Sequence, residues 1–217
     1  CRESSLRTEK HSVLMKYTAI WLTLVITLVG IAELVFGVDF FVLNKALVWQ
    51  QPWRIVTALF AHADILHYLL NVSSLLLFGL VLEGRIGARK TLYLFLFTGI
   101  FVNVISPYQQ SLGASGAIYG IFGALAMLRP FMVVWVEYIP VPMILAGTLW
   151  VIADIIGLFI PDTVAHLAHI GGLIIGIVYG LWWRHQGYGD SLKHEKRRKD
   201  VMIERLIDEF EMREGLR

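Results

Sequence analysis

A serine bracketed by glycines and a histidine that begins a glycine-rich helix face are the residues here whose types can do chemistry together. Gly113-Ala114-Ser115-Gly116 opens one apolar segment, and Ala168-His169-Ile170-Gly171-Gly172 lies in another. A serine hydroxyl becomes a nucleophile when a base takes its proton, and histidine is the usual base. The two stand far apart in the chain, so they must come from separate elements packed side by side. The pairing predicts hydrolysis of a peptide bond by an activated serine.

The elements that must position them are membrane spans. Of the 217 residues 57% are hydrophobic and 17% charged, against about 45–50% and 25% in soluble domains. Six apolar stretches approach the roughly 20 residues needed to cross hydrocarbon: approximately 17–38, 65–82, 91–106, 115–129, 140–160 and 165–183. Backbone groups in lipid must bond internally, so all six are expected to be helices. The first has no small-residue cleavage pattern after it and reads as a retained span rather than a signal peptide. The fourth is short, about 22 Å at roughly 1.5 Å per residue, so with Arg129 at one interface Ser115 stops below the other. The single cysteine, Cys1, excludes an internal disulfide or a thiolate metal cluster.

Six spans put both termini on one side. Of the 19 Lys and Arg, all but Lys45 and Arg54 then fall on that side. The positive-inside rule makes it cytoplasmic and turns Ser115 toward the extracytoplasmic face. The basic residues crowd the termini and one short loop, so nucleic-acid binding is not indicated. No internal repeat appears. The organisation expected is a cytoplasmic segment over 1–16, a six-helix domain over 17–183 and a basic cytoplasmic tail over 184–217. In that tail Ile203, Leu206, Ile207 and Phe210 form an apolar stripe suited to a lipid surface or another chain.

The residues around the pair fit the same chemistry, each with a plainer structural reading beside it. Ser115 starts its helix, where free N–H groups and the positive dipole end favour a developing oxyanion. Gly113 and Gly116 let a substrate backbone come close, although Gly116-xxx-Gly120 is equally a packing motif. An ionisable residue inside a span, such as His169, is a functional candidate by default. Gly172, Gly176 and Gly180 continue its helix at four-residue spacing and can face Gly116, Gly120 and Ala124, which would bring His169 against Ser115. Tyr119, one turn after Ser115, is placed to stack on the imidazole or simply to pack. His67 and Asn71 share one face of the second helix and are either oxyanion donors or a polar tie between helices.

Together these residues resemble the rhomboid intramembrane serine proteases. The matching elements are Trp53-Arg54, His67-xxx-Asn71, Glu83-Gly84-Arg85-Ile86-Gly87, Gly113-Ala114-Ser115-Gly116 with Tyr119, and Ala168-His169-xx-Gly172-xxx-Gly176, in family order across all six spans. The resemblance implies an all-α, six-transmembrane-helix rhomboid-like bundle of the prokaryotic type in a cell membrane. It implies a Ser115–His169 dyad without a catalytic aspartate, and an oxyanion hole from the Ser115 N–H, His67 and Asn71. Tyr119, Gly113, Gly116 and Gly172 would support that site, while Trp53-Arg54 would stabilise the first loop. No cofactor or metal is implied. The substrates implied are membrane-spanning protein segments cut near the extracytoplasmic side after a small residue, with the fifth helix and the loop over the site as the gate. The competing class is a noncatalytic rhomboid-like protein that binds membrane clients; such proteins typically lack the serine or the histidine, and this chain has both.

Other residues are set aside on this reading. Asp154 invites a Ser-His-Asp triad, but the dyad pattern leaves it pairing near the outer end of the fifth helix, and Glu33 is read in the same way. His166 is the rival base, disfavoured because the glycine register begins at His169. His62, His67, His166 and His169 raise zinc, yet no His-Glu-xx-His helix supplies two ligands and a base. Gly187-Tyr188-Gly189-Asp190 spells an aspartyl-protease motif in a polar setting that does not support it.

Overall fold

A computed structural model describes residues 17–136, 138–189 and Met212. The expected 1–16 segment and nearly all of the basic tail lie outside the described residues. Six apolar helices make the body of the molecule: α1 (Thr18–Phe36), α2 (Ile65–Ile86), α3 (Ala88–Ile105), α4 (Ser115–Leu128), α5 (Met143–Gly157) and α6 (His166–His185). Four of them, α1, α2, α3 and α6, are long and apolar enough to cross a membrane, whereas α4 and α5 are shorter. Side chains such as Leu28, Leu34, Leu69, Ile152, Ile156 and Val178 are exposed. In a membrane protein that apolar rim meets lipid instead of water.

The fifth helix begins later than the expected residue 140. Pro140 and Pro142 lie in β4 (Ile139–Pro142), which pairs antiparallel with β3 (Val133–Val136) to form a hairpin before α5. Proline supplies no N–H to a helix and tolerates the extended conformation, so α5 starts at Met143. A second strand pair bears directly on Ser115. β1 (Leu43–Asn44), in the loop after α1, pairs with β2 (Gln110–Ser111), in the stretch leading to α4, with Leu43 opposite Ser111 and Asn44 opposite Gln110. The Gly113 N–H also donates to the Ala58 carbonyl at 2.8 Å. Irregular backbone ahead of the serine is thus held by the first loop.

That loop is itself tied by Arg54, which is buried and donates from Nη1 to the carbonyls of Asp39 and Val42, the latter at 2.8 Å. On the opposite side, Glu83 near the end of α2 caps α1 from outside. Its two carboxylate oxygens accept the Thr18 and Ala19 N–H groups, each at 3.1 Å. The first N–H groups of a helix have no partner within it, and an anion at that end also complements the dipole. Two of the matching residues therefore have a structural cause: Arg54 closes a loop and Glu83 joins α2 to α1.

α4 is the centre of the bundle and is buried along most of its length. Its densest packing is against α6. A methyl group placed on Gly172 would overlap the Gly116 carbonyl oxygen, one on Gly176 the Gly120 carbonyl oxygen, and one on Gly180 would stand 2.9 Å from the Ala124 Cα. The two small-residue strips read from the sequence therefore face each other, and the helix backbones touch. Backbone contact of this kind lets van der Waals packing hold helices where lipid removes the hydrophobic drive. α5, by contrast, touches α4 and α6 only sparsely.

Candidate active site

The α4–α6 contact brings the two chemistry-bearing residues together. Ser115 is the first residue of α4, and its Oγ lies 2.9 Å from His169 Nε2, one turn into α6. The hydroxyl donates and Nε2 accepts when the ring carries its proton on Nδ1. The Tyr119 ring stacks on the His169 ring with centroids 4.3 Å apart and planes 12° from parallel. The imidazole is therefore gripped on one face as well as at its edge.

Gly113 has φ of 111°, a conformation that L side chains rarely adopt. A methyl group there would fall 2.8 Å from His67 Nε2 and 3.8 Å from Ser115 Oγ. The histidine ring from α2 thus lies across the glycine backbone beside the serine, in space that only a glycine leaves open. His67 is positioned locally by Asp64, whose carboxylate caps the start of α2 by accepting the His67 N–H at 2.8 Å. Asn71, one turn on, is buried, and its Nδ2 donates to the His67 carbonyl at 2.8 Å. One of its two amide N–H groups is therefore engaged within its own helix, which the spacing did not reveal.

The larger departure from the sequence reading is Asp154. Set aside there, its side chain points into the site from α5 and is only 5% exposed. Its Oδ1 lies 3.0 Å from His169 Nδ1 and 2.7 Å from His166 Nδ1. His166 in turn faces Asp162, in the loop before α6, with Nε2 and Oδ2 3.1 Å apart. Both ring nitrogens of His166 thus face carboxylates, and Ser115 Oγ bonds to His169, so the two histidines are told apart by their partners. The signal available in the sequence was the carboxylate itself, since an ionisable group in a span marks function by default.

Asp154, His166 and His169 also bring three metal-ligating atoms within 4.8 Å of one another. Those atoms already bond among themselves at hydrogen-bond distances. The zinc reading considered from sequence used four histidines; of those, His62 and His67 pair by ring edges at 5.1 Å on the α2 side.

Comparison with known proteins gives the family. The rhomboid domain family matches residues 49–186. Among similar proteins, the RHOMBOID-like protein 6, mitochondrial, of Arabidopsis thaliana is 31% identical over 141 residues, which is 63% of this chain and 45% of that protein. The Rhomboid-like protease 3 of Toxoplasma gondii is 36% identical over 133 residues, 58% of this chain and 50% of that protein. The Rhomboid protease GlpG of Yersinia pseudotuberculosis is 32% identical over 144 residues, 62% of this chain and 49% of that protein. The chain spans about half the length of these curated relatives.

Proposed function

The chain belongs to the rhomboid family, and from that premise we propose that it is an intramembrane serine endopeptidase that hydrolyses peptide bonds in or near the transmembrane segments of membrane proteins. The observation that carries this reading is the 2.9 Å contact between Ser115 Oγ and His169 Nε2 at the start of a helix. Ser115 attacks the scissile carbonyl while His169 Nε2 takes its proton. The tetrahedral oxyanion is received by the Ser115 N–H, with His67 and Asn71 alongside. His169 returns the proton to the leaving amine, which departs and leaves an acyl-enzyme. Water, deprotonated by the same nitrogen, releases the second product.

Gly113, Gly116 and Gly172 support the site by letting backbones approach, and Tyr119 holds the base. The finer assignment is a prokaryotic-type six-helix core in a cell membrane, with both termini cytoplasmic and Ser115 toward the extracytoplasmic side. For the orientation, the support is the distribution of Lys and Arg. Substrate segments enter beside α5, whose sparse contacts with its neighbours suit a gate.

The test is labelling of the purified protein in detergent with a fluorophosphonate probe, alongside cleavage of a model transmembrane substrate. Wild type should label and cleave, and Ser115→Ala and His169→Ala should do neither while keeping their helical content. A folded wild type that neither labels nor cleaves would move the assignment to the client-binding class.

A further inference from the structure

Two histidines, one turn apart on α6, share a single carboxylate oxygen, and this sharing assigns them different tasks. An ionised carboxylate only accepts hydrogen bonds, so a ring nitrogen bonded to one must carry a proton. His169 meets a carboxylate at Nδ1 alone. Its Nε2 is therefore left as the acceptor that faces Ser115. His166 meets carboxylates at both nitrogens, Asp154 at Nδ1 and Asp162 at Nε2. Only the doubly protonated ring donates to both.

We propose that Asp154 is a positioning residue that fixes His169 in the tautomer able to act as base, and that His166 is the counter-ion that keeps Asp154 ionised. The proposal rests on Ser115 and His169 being the catalytic pair. Burying a lone carboxylate is expensive, and a single histidine beside it would be drawn into forming the ion pair itself. An imidazolium at position 169 has no lone pair for the Ser115 proton. His166 takes that part, and its own charge is balanced further by Asp162 at the edge of the site, whose side chain is 37% exposed. Asp154's hydrogen bonds to both rings run through Oδ1. The Tyr119 hydroxyl also faces the Asp154 carboxylate. The arrangement extends the expected dyad to a hydrogen-bonded series: Ser115, His169, Asp154, His166 and Asp162.

Replacing a triad carboxylate by its amide costs about 10⁴-fold in kcat in soluble serine proteases, because the imidazole takes the wrong tautomer. In the full-length detergent-purified protein, Asp154→Asn should lower kcat on a model transmembrane substrate by about 10²-fold or more, with KM little changed and thermal stability retained. A folded Asp154→Asn protein with kcat within a few fold of wild type overturns the proposal. If that variant does not fold, nitrogen NMR of ¹⁵N-histidine-labelled wild type decides, with His166→Gln and His169→Gln assigning the signals. The expected spectrum at neutral pH has His169 protonated on Nδ1 only and His166 on both nitrogens. Protonation of His169 on Nε2, or a neutral His166, overturns it. This readout does not need turnover, so an inactive wild type would count against the protease reading while the tautomer result still stood on its own.

Discussion

The rings of Tyr119 and His169 lie 4.3 Å apart and 12° from parallel, one from each of the two helices whose glycines interlock. The stack needs the ring and not the hydroxyl, which faces the Asp154 carboxylate, itself held to His169 by a separate hydrogen bond. Tyr119→Phe should keep kcat within a few fold of wild type. Tyr119→Ala should lower it by about 2- to 13-fold, the worth of about 0.5–1.5 kcal/mol for an aromatic pair, more if the imidazole swings away. Steady-state cleavage of both variants checks this.

Gly176 and Gly120 meet backbone to backbone, so even one methyl group has nowhere to go. Gly176→Ala should destabilise the protein by about 1–3 kcal/mol or force α4 and α6 apart. Separation of the two helices widens the Ser115–His169 gap. A lowered melting temperature in detergent together with slower fluorophosphonate labelling is expected; unchanged values would show that the helices slide freely past this contact.

His67 and Asn71 should differ in their effect on turnover. The His67 ring lies over Gly113 beside the serine, while one amide N–H of Asn71 is held by the His67 carbonyl. Loss of an oxyanion donor costs about 10²–10³-fold in kcat. His67→Ala is expected in that range, and Asn71→Ala below it, with KM nearly constant in both. Equal losses, or a change in KM alone, would argue against His67 as the principal side-chain donor.

Glu83 should matter for stability and not for chemistry. Its carboxylate caps α1, and it stands about 24 Å from His67 along α2 at about 1.5 Å per residue. Glu83→Ala strips both caps from buried N–H groups and should cost about 1–3 kcal/mol. Thermal melting should show the loss, while kcat of the protein that remains folded stays near wild type.

His62, in the stretch before α2, gives a pH dependence of known sign. Burial, with the neighbouring His67 ring adding to it, pulls its pKa from 6.5 down to about 4. The folded state thus prefers the neutral ring, and between pH 6.5 and 4 the unfolded chain binds the proton that the folded one refuses. This contribution to stability is present in full above pH 6.5 and is lost progressively as pH falls toward 4, with a slope of up to about 1.4 kcal/mol per unit for one proton. His62→Phe keeps a buried aromatic ring and removes the titrating group. Melting curves across that pH range should be flatter for His62→Phe than for wild type.

What could be read from the amino-acid order was whatever is written as spacing. Apolar runs of the right length marked six helices, small residues at every fourth position marked two faces able to touch, and Ser115 and His169 stood at the matching ends of those faces. Glu33, set aside with Asp154, accepts the His62 backbone N–H at 3.1 Å and lies outside the Ser115–His169 pair. Asp154 was different. Whether its carboxylate reaches His169 depends on how far α5 is rotated and how deep it sits, and α5 has no glycine strip that records this in its sequence. Its partners His166 and His169, one turn apart on α6, looked like competitors for a single role. Only the tertiary structure, by setting one against two carboxylates and the other between a carboxylate and a serine, decided which of them could accept a proton. Periodicity along one helix specifies which face is buried, while a hydrogen bond between helices is selected by their mutual rotation and depth, and those arise from packing the whole bundle.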